Sequence, residues 1–398
     1  MINERFVVRV AQICLAGLWL SIAACGPSPT TRSNIDSSYY EPVTAGVYTT
    51  CIKDATHLAV CYGAMVGDGN STFPYPANTN PFVPNGPAPT SAPHGLGPIL
   101  LIAAAPSHGA VCAVRDDTSA TVVCWGFQNH DASNFALDRA VVVVPGVSGV
   151  KALSVGGVAN PTAGTEPTKT KACAVLANNS LTCWTLQDDG TILPAAIVGG
   201  LPPISKVSIG SRHSCAIGTD NTVWCWGRNE YGQLGTGQIG SAVTEYPPAA
   251  IPGFHAVTVS AGVSHTCASL DDGRVMCWGS NADGEIGLPP ANQPFSTPQV
   301  VNGIAKARMV SSGWNYSCAA LADGTVKCWG SNKGLGFVLG AWTFVPATVP
   351  SLSGVMAVSA ADTHVCATLL PIGIKCWGSN MYGELTDGTT NSSPIPVP

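Results

Sequence analysis

Paired cysteines constrain this chain more than any other feature. The sequence has 398 residues and sixteen cysteines, and fourteen of these fall into seven pairs. The pairs are Cys51/Cys61, Cys112/Cys124, Cys173/Cys183, Cys215/Cys225, Cys267/Cys277, Cys318/Cys328 and Cys366/Cys376. Six pairs are separated by ten positions and one by twelve, and the pairs recur every 42 to 61 residues. A recurring unit of that size marks a repeat architecture, which overrides the two or three domains that length alone suggests. An even set at regular spacing, behind an export-type start, reads as a disulfide framework.

The spacing also sets the local geometry. Midway between the cysteines stand Asp271-Asp272-Gly273, Ala322-Asp323-Gly324, Thr219-Asp220-Asn221 and Ala177-Asn178-Asn179. Each triplet ends in Gly or Asn, the residues that tolerate positive φ. A three-residue hairpin loop fits, and it sets the two cysteines directly opposite each other. Opposed Cα atoms about 4.5–5.5 Å apart suit a disulfide. In the same register Trp125, Trp184, Trp226, Trp278, Trp329 and Trp377 follow the second cysteine, with Tyr62 in the first repeat. Each ring faces a small or β-branched residue, such as Ser214, Thr266 or Ser317. Gly227, Gly279 and Gly378 face His213, His265 and His364, and Gly330 faces Tyr316. Rings on one face and sulfurs on the other predict a sheet packed on both sides.

Two further strands complete each unit. Val257-Thr258-Val259-Ser260 precedes one hairpin, and a proline-bearing strand such as Pro298-Gln299-Val300-Val301 stands before the next. Tight turns at Pro145-Gly146, Pro252-Gly253 and Asn302-Gly303 join these two strands. Seven such four-stranded units predict an all-β, seven-bladed β-propeller with one intra-blade disulfide per repeat. The tight turns place the start of each unit at the proline-bearing strand. The first repeat would then lack its first strand, and Pro394-Ile395-Pro396-Val397 is expected to supply it and close the ring, since native sheets avoid open edges.

The N-terminus reads as a targeting segment. Arg5 and Arg9 precede a largely apolar run from Val10 to Ala24, too short for a comfortable membrane span. Leu20-Ser21-Ile22-Ala23-Ala24-Cys25-Gly26 resembles a bacterial lipobox. The resemblance implies a signal peptide over 1–24 and lipidation at Cys25; composition marks a Ser/Thr/Pro-rich tether over 25–38, and the repeats set the propeller at 39–398. Ordinary cleavage after Ala24, which releases a soluble chain, is the other reading. Gly26 is compatible with sorting to an outer membrane. The expected location is the bacterial cell envelope, facing the periplasm or the surface.

Gly262-Val263-Ser264-His265-Thr266-Cys267-Ala268, Cys277-Trp278-Gly279-Ser280-Asn281 and Asn229-Glu230-Tyr231-Gly232-Gln233-Leu234-Gly235 resemble the repeat of the regulator of chromosome condensation family. The resemblance spans roughly 39–398 by repeat pattern and is strongest in repeats four to seven. It departs at Cys61-Tyr62-Gly63, Cys183-Trp184-Thr185 and Lys333-Gly334-Leu335-Gly336. It implies a seven-bladed propeller, here as an exported, lipoprotein-type bacterial member. The founding member's nucleotide-exchange activity is not carried over, because fold does not determine function.

Chemistry is weakly signalled. Only 10% of residues are charged and the net charge is −5, which excludes a basic nucleic-acid footprint. Asp272 and Asp323 sit where turns favour Asp for local hydrogen bonds. His213, His265 and His364 recur at one repeat position, as packing residues do, and structural zinc needs four ligands. No catalytic residue, metal or cofactor is expected, so the chain is not read as an enzyme. A non-catalytic, monomeric scaffold for an unidentified extracytoplasmic protein is the leading expectation. A carbohydrate- or wall-binding propeller, with tryptophans lining a channel, is the alternative, and a hydrolase or lyase in the channel comes third. By strand alternation the long connections gather at one end of the propeller and the tight turns at the other. The insertions Ala64 to Pro98 and Gly157 to Thr168 belong to the first end. Phe73, Tyr75 and Phe82 are the expected anchors, since long loops on a rigid scaffold carry binding.

Overall fold

The computed structural model describes residues 43–46, 49–54, 57–63, 90–91, 96–105, 110–126, 141–157, 170–187, 191–241, 245–331, 342–370, 373–381 and 383–397. They form seven separate four-stranded antiparallel sheets. The fourth blade shows the plan: inner strand Ile204–Ile209, second strand His213–Gly218, third strand Val223–Gly227 and outer strand Tyr246–Ile251. The seven inner strands are Val43–Ala45, Ile99–Ala104, Val150–Gly157, Ile204–Ile209, Ala256–Ala261, Ala307–Ser312 and Val355–Ala360. They surround the central axis, and blades are numbered 1 to 7 in that order.

Within every blade the second and third strands are the cysteine hairpin. All seven cysteine pairs are disulfides, with Cα atoms 4.0–4.1 Å apart. That spacing is shorter than the opposed strands suggested, and the hairpin explains it. The Gly218 N–H donates to Thr222 O, so hydrogen-bonded pairs alternate outward from there. Cys215 and Cys225, three pairs along, fall on a non-hydrogen-bonded pair, the closer kind. Asn221, Asn179, Gly273 and Gly324 take positive φ at the loop ends, as the triplets predict. The longer arms of the Cys112/Cys124 hairpin keep the cysteines opposed.

Packing runs from blade to blade. The Cys215–Cys225 bridge sits in one cluster with Trp278 of the next blade, and Cys267–Cys277 with Trp329. The same relation joins Cys51–Cys61 to Trp125, Cys112–Cys124 to Trp184, Cys173–Cys183 to Trp226 and Cys318–Cys328 to Trp377. At these six junctions one sheet offers sulfur and the next a ring. An indole buries roughly 150–250 Å², so these contacts dominate cohesion.

The blade boundary differs from the expectation. The proline-bearing strand pairs with the third strand of the repeat before it, as in Cys225↔Ala249, and is the outer strand of that blade. The tight Pro-Gly turns pass from one blade's outer strand to the next blade's inner strand. Accordingly Ser393–Val397 pairs with Gly373–Gly378 of blade 7, with Cys376 opposite Val397. Blade 1 has its own outer strand, Thr90–Ser91. The ring closes without a shared strand. Blade 7 packs on blade 1 through Cys366, Cys376, Leu385 and Val43, with no tryptophan among the described residues against the disulfide.

The inner strand has no partner on its axial edge, and unpaired N–H groups there need acceptors. Hydroxyls of the preceding blade supply them. The N–H groups of Ile209, Ala261, Ser312 and Ala360 donate to Ser154, Ser208, Ser260 and Ser311 Oγ at 2.8–3.0 Å. Ala104 N–H donates to Thr44 Oγ1 and Ala45 N–H to Ser359 Oγ, both at 3.0 Å. Six of the seven junctions carry this bond, and at the remaining one Ala103 stands in the hydroxyl's place.

Candidate functional site: the long-connection face

Each inner strand starts at the tight-turn end and finishes at the opposite end. The short links 210–212, 262–264, 313–315 and 361–363 therefore emerge on one face, together with the longer connections after each third strand. At this end neighbouring inner strands nearly touch. A Cβ on Gly262 would lie 2.8 Å from Gly313 O, so only glycine fits there.

Buried asparagines shape the longer connections. Asn229 Oδ1 accepts the Leu234 N–H at 3.0 Å, and its Nδ2 donates to Gln238 O. Asn281 and Asn380 repeat the arrangement with Ile286 and Leu385. Gly232 turns the loop at φ 70, where a Cβ would meet Ser296 Cα at 2.7 Å. These loops cap the following blade. Gln233 O accepts from Trp278 Nε1 and Thr266 Oγ1, both at 2.8 Å. Glu285 O does the same for Trp329 Nε1 and Ser317 Oγ at 3.0 and 3.1 Å. The Glu285 carboxyl is buried, which raises its pKa although Ser280 Oγ donates to it at 2.6 Å.

The histidines belong to the same framework. His213 Nε2 lies 2.7 Å from Thr266 Oγ1, and His265 Nε2 2.9 Å from Ser317 Oγ. Both hydroxyl protons go to loop carbonyls, so each imidazole donates through Nε2. His364 Nε2 bridges blades 7 and 1, 2.8 Å from Thr50 Oγ1. Burial depresses His213 and His265 to about 3 and His364 to about 4. Tyr316 replaces histidine in blade 6, and its hydroxyl donates to Ala361 O at 2.6 Å. These groups tie neighbouring blades together.

The other sequence-derived candidates are placed as follows. Asp272 and Asp323 accept the N–H two residues on, at 3.0 Å, in hairpin turns on the opposite face. Trp125, Trp278, Trp329 and Trp377 are fully buried between blades, so they form no sugar-stacking ring in the channel. Among the described residues no group of three or more His, Cys, Asp or Glu could hold a metal. Cys25, Phe73, Tyr75 and Phe82 lie outside the described residues. The segment carrying the three aromatics leaves blade 1 at Gly63, on the long-connection face, and returns at Thr90.

Three apolar side chains on this face escaped the sequence reading as anchors. Trp314 is 52% exposed, Met381 64% and Tyr231 43%. Trp314 occupies the link position held by Ser211, Val263 and Asp362 in neighbouring blades. A large aromatic at a position that is otherwise small or polar was the available signal. Around them Asn315 Nδ2 donates to Asp283 Oδ2 at 2.7 Å, and Arg212 pairs with Glu230 at 3.0 Å. Asp362 is held up at about 7 by burial. Ordered loops carrying exposed Trp, Tyr and Met amid fixed polar groups have the composition of a protein-binding surface.

The regulator of chromosome condensation (RCC1) repeat matches residues 204–233, 256–285 and 309–334, and a second form of it matches 220–269 and 272–320. Protein pim1 of Schizosaccharomyces pombe is 31% identical over 149 residues, 33% of this chain and 28% of the relative. The ultraviolet-B receptor UVR8 of Arabidopsis thaliana is 30% identical over 144 residues, 36% of this chain and 32% of the relative. The matched stretch thus spans about a third of these curated relatives. Among solved structures, Prp20p of Saccharomyces cerevisiae superposes with a TM-score of 0.62 at 17% identity, covering 80% of each chain. Yeast RCC1 (Prp20) bound to Kap60 gives 0.65 at 14% identity, over 96% of this chain and 90% of that one. The chain is a seven-bladed propeller, and its residues 204–334 match the regulator of chromosome condensation repeat.

Proposed function

We propose that this protein is a non-catalytic, protein-binding scaffold, displayed on the cell envelope as a lipoprotein anchored at Cys25. One observation carries the binding reading: the irregular links of the blades converge on one face, and Trp314, Tyr231 and Met381 stand exposed there. The related yeast propeller, described for its binding to Gsp1p and histones, supports the use of such a fold for protein recognition. The partner is an extracytoplasmic protein, met by a monomer held at the membrane through lipid alone. The lipobox-like run before Cys25 supports the anchor.

The test uses the mature chain as bait in envelope extract, beside a Trp314→Ala, Tyr231→Ala, Met381→Ser variant. The wild type should capture a specific protein that the variant loses by at least about tenfold in affinity. A control altered on the tight-turn face, Arg274→Ser, should retain it. Equal capture by wild type and face variant moves the site elsewhere. Mass spectrometry of the mature N-terminus checks the anchor, and an unmodified Cys25 refutes it.

A further inference from the structure

A channel of about 980 Å³ follows the propeller axis, lined by all seven inner strands. Aliphatic side chains line much of its wall, among them Leu101, Leu153, Val207, Val259, Met309 and Leu369, interspersed with hydroxyls. The wall hydroxyls of Ser154, Ser208, Ser260, Ser311 and Ser359 accept backbone N–H groups of neighbouring blades. The aliphatic side chains of this wall suit a hydrocarbon chain.

The two ends differ. At the long-connection end the inner strands meet backbone to backbone at their glycines. At the tight-turn end the lining side chains are long, and four are charged: Lys53, Asp54, Lys206 and Arg308. Three of these are cations and one is a carboxylate, on a chain of net charge −5. Asp54 is also engaged in its own turn, accepting the Leu58 N–H at 2.9 Å. Lys206 Nζ donates to Val257 O at 2.8 Å and Lys53 Nζ to Leu100 O at 3.0 Å. Both ammonium groups are thereby held at the rim. Arg308 is exposed, with Nη2 on Ala322 O at 3.0 Å and Nη1 on the weak acceptor Met356 Sδ at 3.5 Å. A guanidinium has five N–H donors, so Arg308 keeps donors for an oxyanion.

We infer that the channel binds an amphiphilic anion, with its aliphatic chain between the inner strands and its carboxylate-type head at Arg308, Lys206 and Lys53. The volume lies in the usual range for small-molecule sites and exceeds what a ten-carbon chain needs. The site is at the end opposite the protein-binding face and does not depend on it.

Titration calorimetry with the folded propeller decides the matter, using decanoate and decyltrimethylammonium below their micellar concentrations. Decanoate should bind saturably at one site, and the cation of equal chain length should not. Arg308→Gln should weaken decanoate about tenfold, the loss of a charge-assisted hydrogen bond. Trp314→Ala, on the other face, should leave it unchanged. Melting curves establish that both variants are folded, and Lys206→Gln gives a second reading of the head site. The inference is overturned by absent or non-saturable decanoate binding. Equal binding of the cation, or unaltered affinity in both Arg308→Gln and Lys206→Gln, also overturns it.

Discussion

The Ala45 N–H donates to Ser359 Oγ across 3.0 Å, joining residues 314 positions apart at the seam where the ring closes. The contact is the same one that Ser208 makes with Ala261 in mid-ring. Closure is thus one more inter-blade junction and involves no exchanged strand.

Ser359→Ala should cost about 1–3 kcal/mol, because it leaves the Ala45 N–H without its acceptor at the channel edge. Ser208→Ala should cost the same within error. Urea unfolding midpoints of the two variants provide the comparison. A much larger loss at Ser359 would mean that the seam is held differently from the other junctions.

Ala103 occupies the inner-strand position that carries the bridging hydroxyl in the other six blades. Ala103→Ser should stabilise the propeller by about 0.5–1.5 kcal/mol, the net worth of one hydrogen bond. A raised melting temperature is the expected readout, and an unchanged one would show that the blade 2–3 junction is already satisfied.

Acid should loosen the ring through its histidines. Burial holds His213 and His265 at about 3 and His364 at about 4, below the ordinary 6.5. Below 6.5 the unfolded chain takes up protons that the folded chain refuses. The contribution is therefore complete above pH 6.5 and lost as pH falls toward the folded values. Each histidine adds a slope of about 1.4 kcal/mol per pH unit in that window. Replacing His265 by Gln should flatten stability against pH by one such slope, measured by denaturation between pH 7 and 4.5.

Asp362 works in the opposite sense. Burial raises its carboxyl from 3.8 to about 7, so between those values the folded chain keeps a proton that the unfolded chain releases. Its stabilising effect is complete below pH 3.8 and is lost as pH rises through 7. Asp362→Asn should raise the melting temperature at pH 8 and leave it unchanged near pH 3.5. Equal shifts at both pH values would assign the effect to packing instead.

Cysteine spacing alone was enough to specify the disulfides, the hairpin loops and the alternation of ring and sulfur faces. All three depend on residues about ten positions apart, where antiparallel register leaves one geometry. That long connections share one end was equally legible, since it follows from strand alternation alone. The blade boundary was decided only in the folded protein. A tight Pro-Gly turn brings two strands close in the chain, but closeness does not choose a hydrogen-bonding partner. The outer strand Tyr246–Ile251 pairs back across eighteen intervening residues to Val223–Gly227, not forward across its short turn to Ala256–Ala261. The next inner strand instead turns its face to the preceding blade, with its axial edge satisfied by serine hydroxyls. Exposure was decided in the same way. The hairpin register buries Trp278, because its ring meets the disulfide of the neighbouring blade, whereas Trp314 stands in a link between strands with no blade beyond it. Neither fate is encoded in the residue type. Both depend on what the next blade places opposite it.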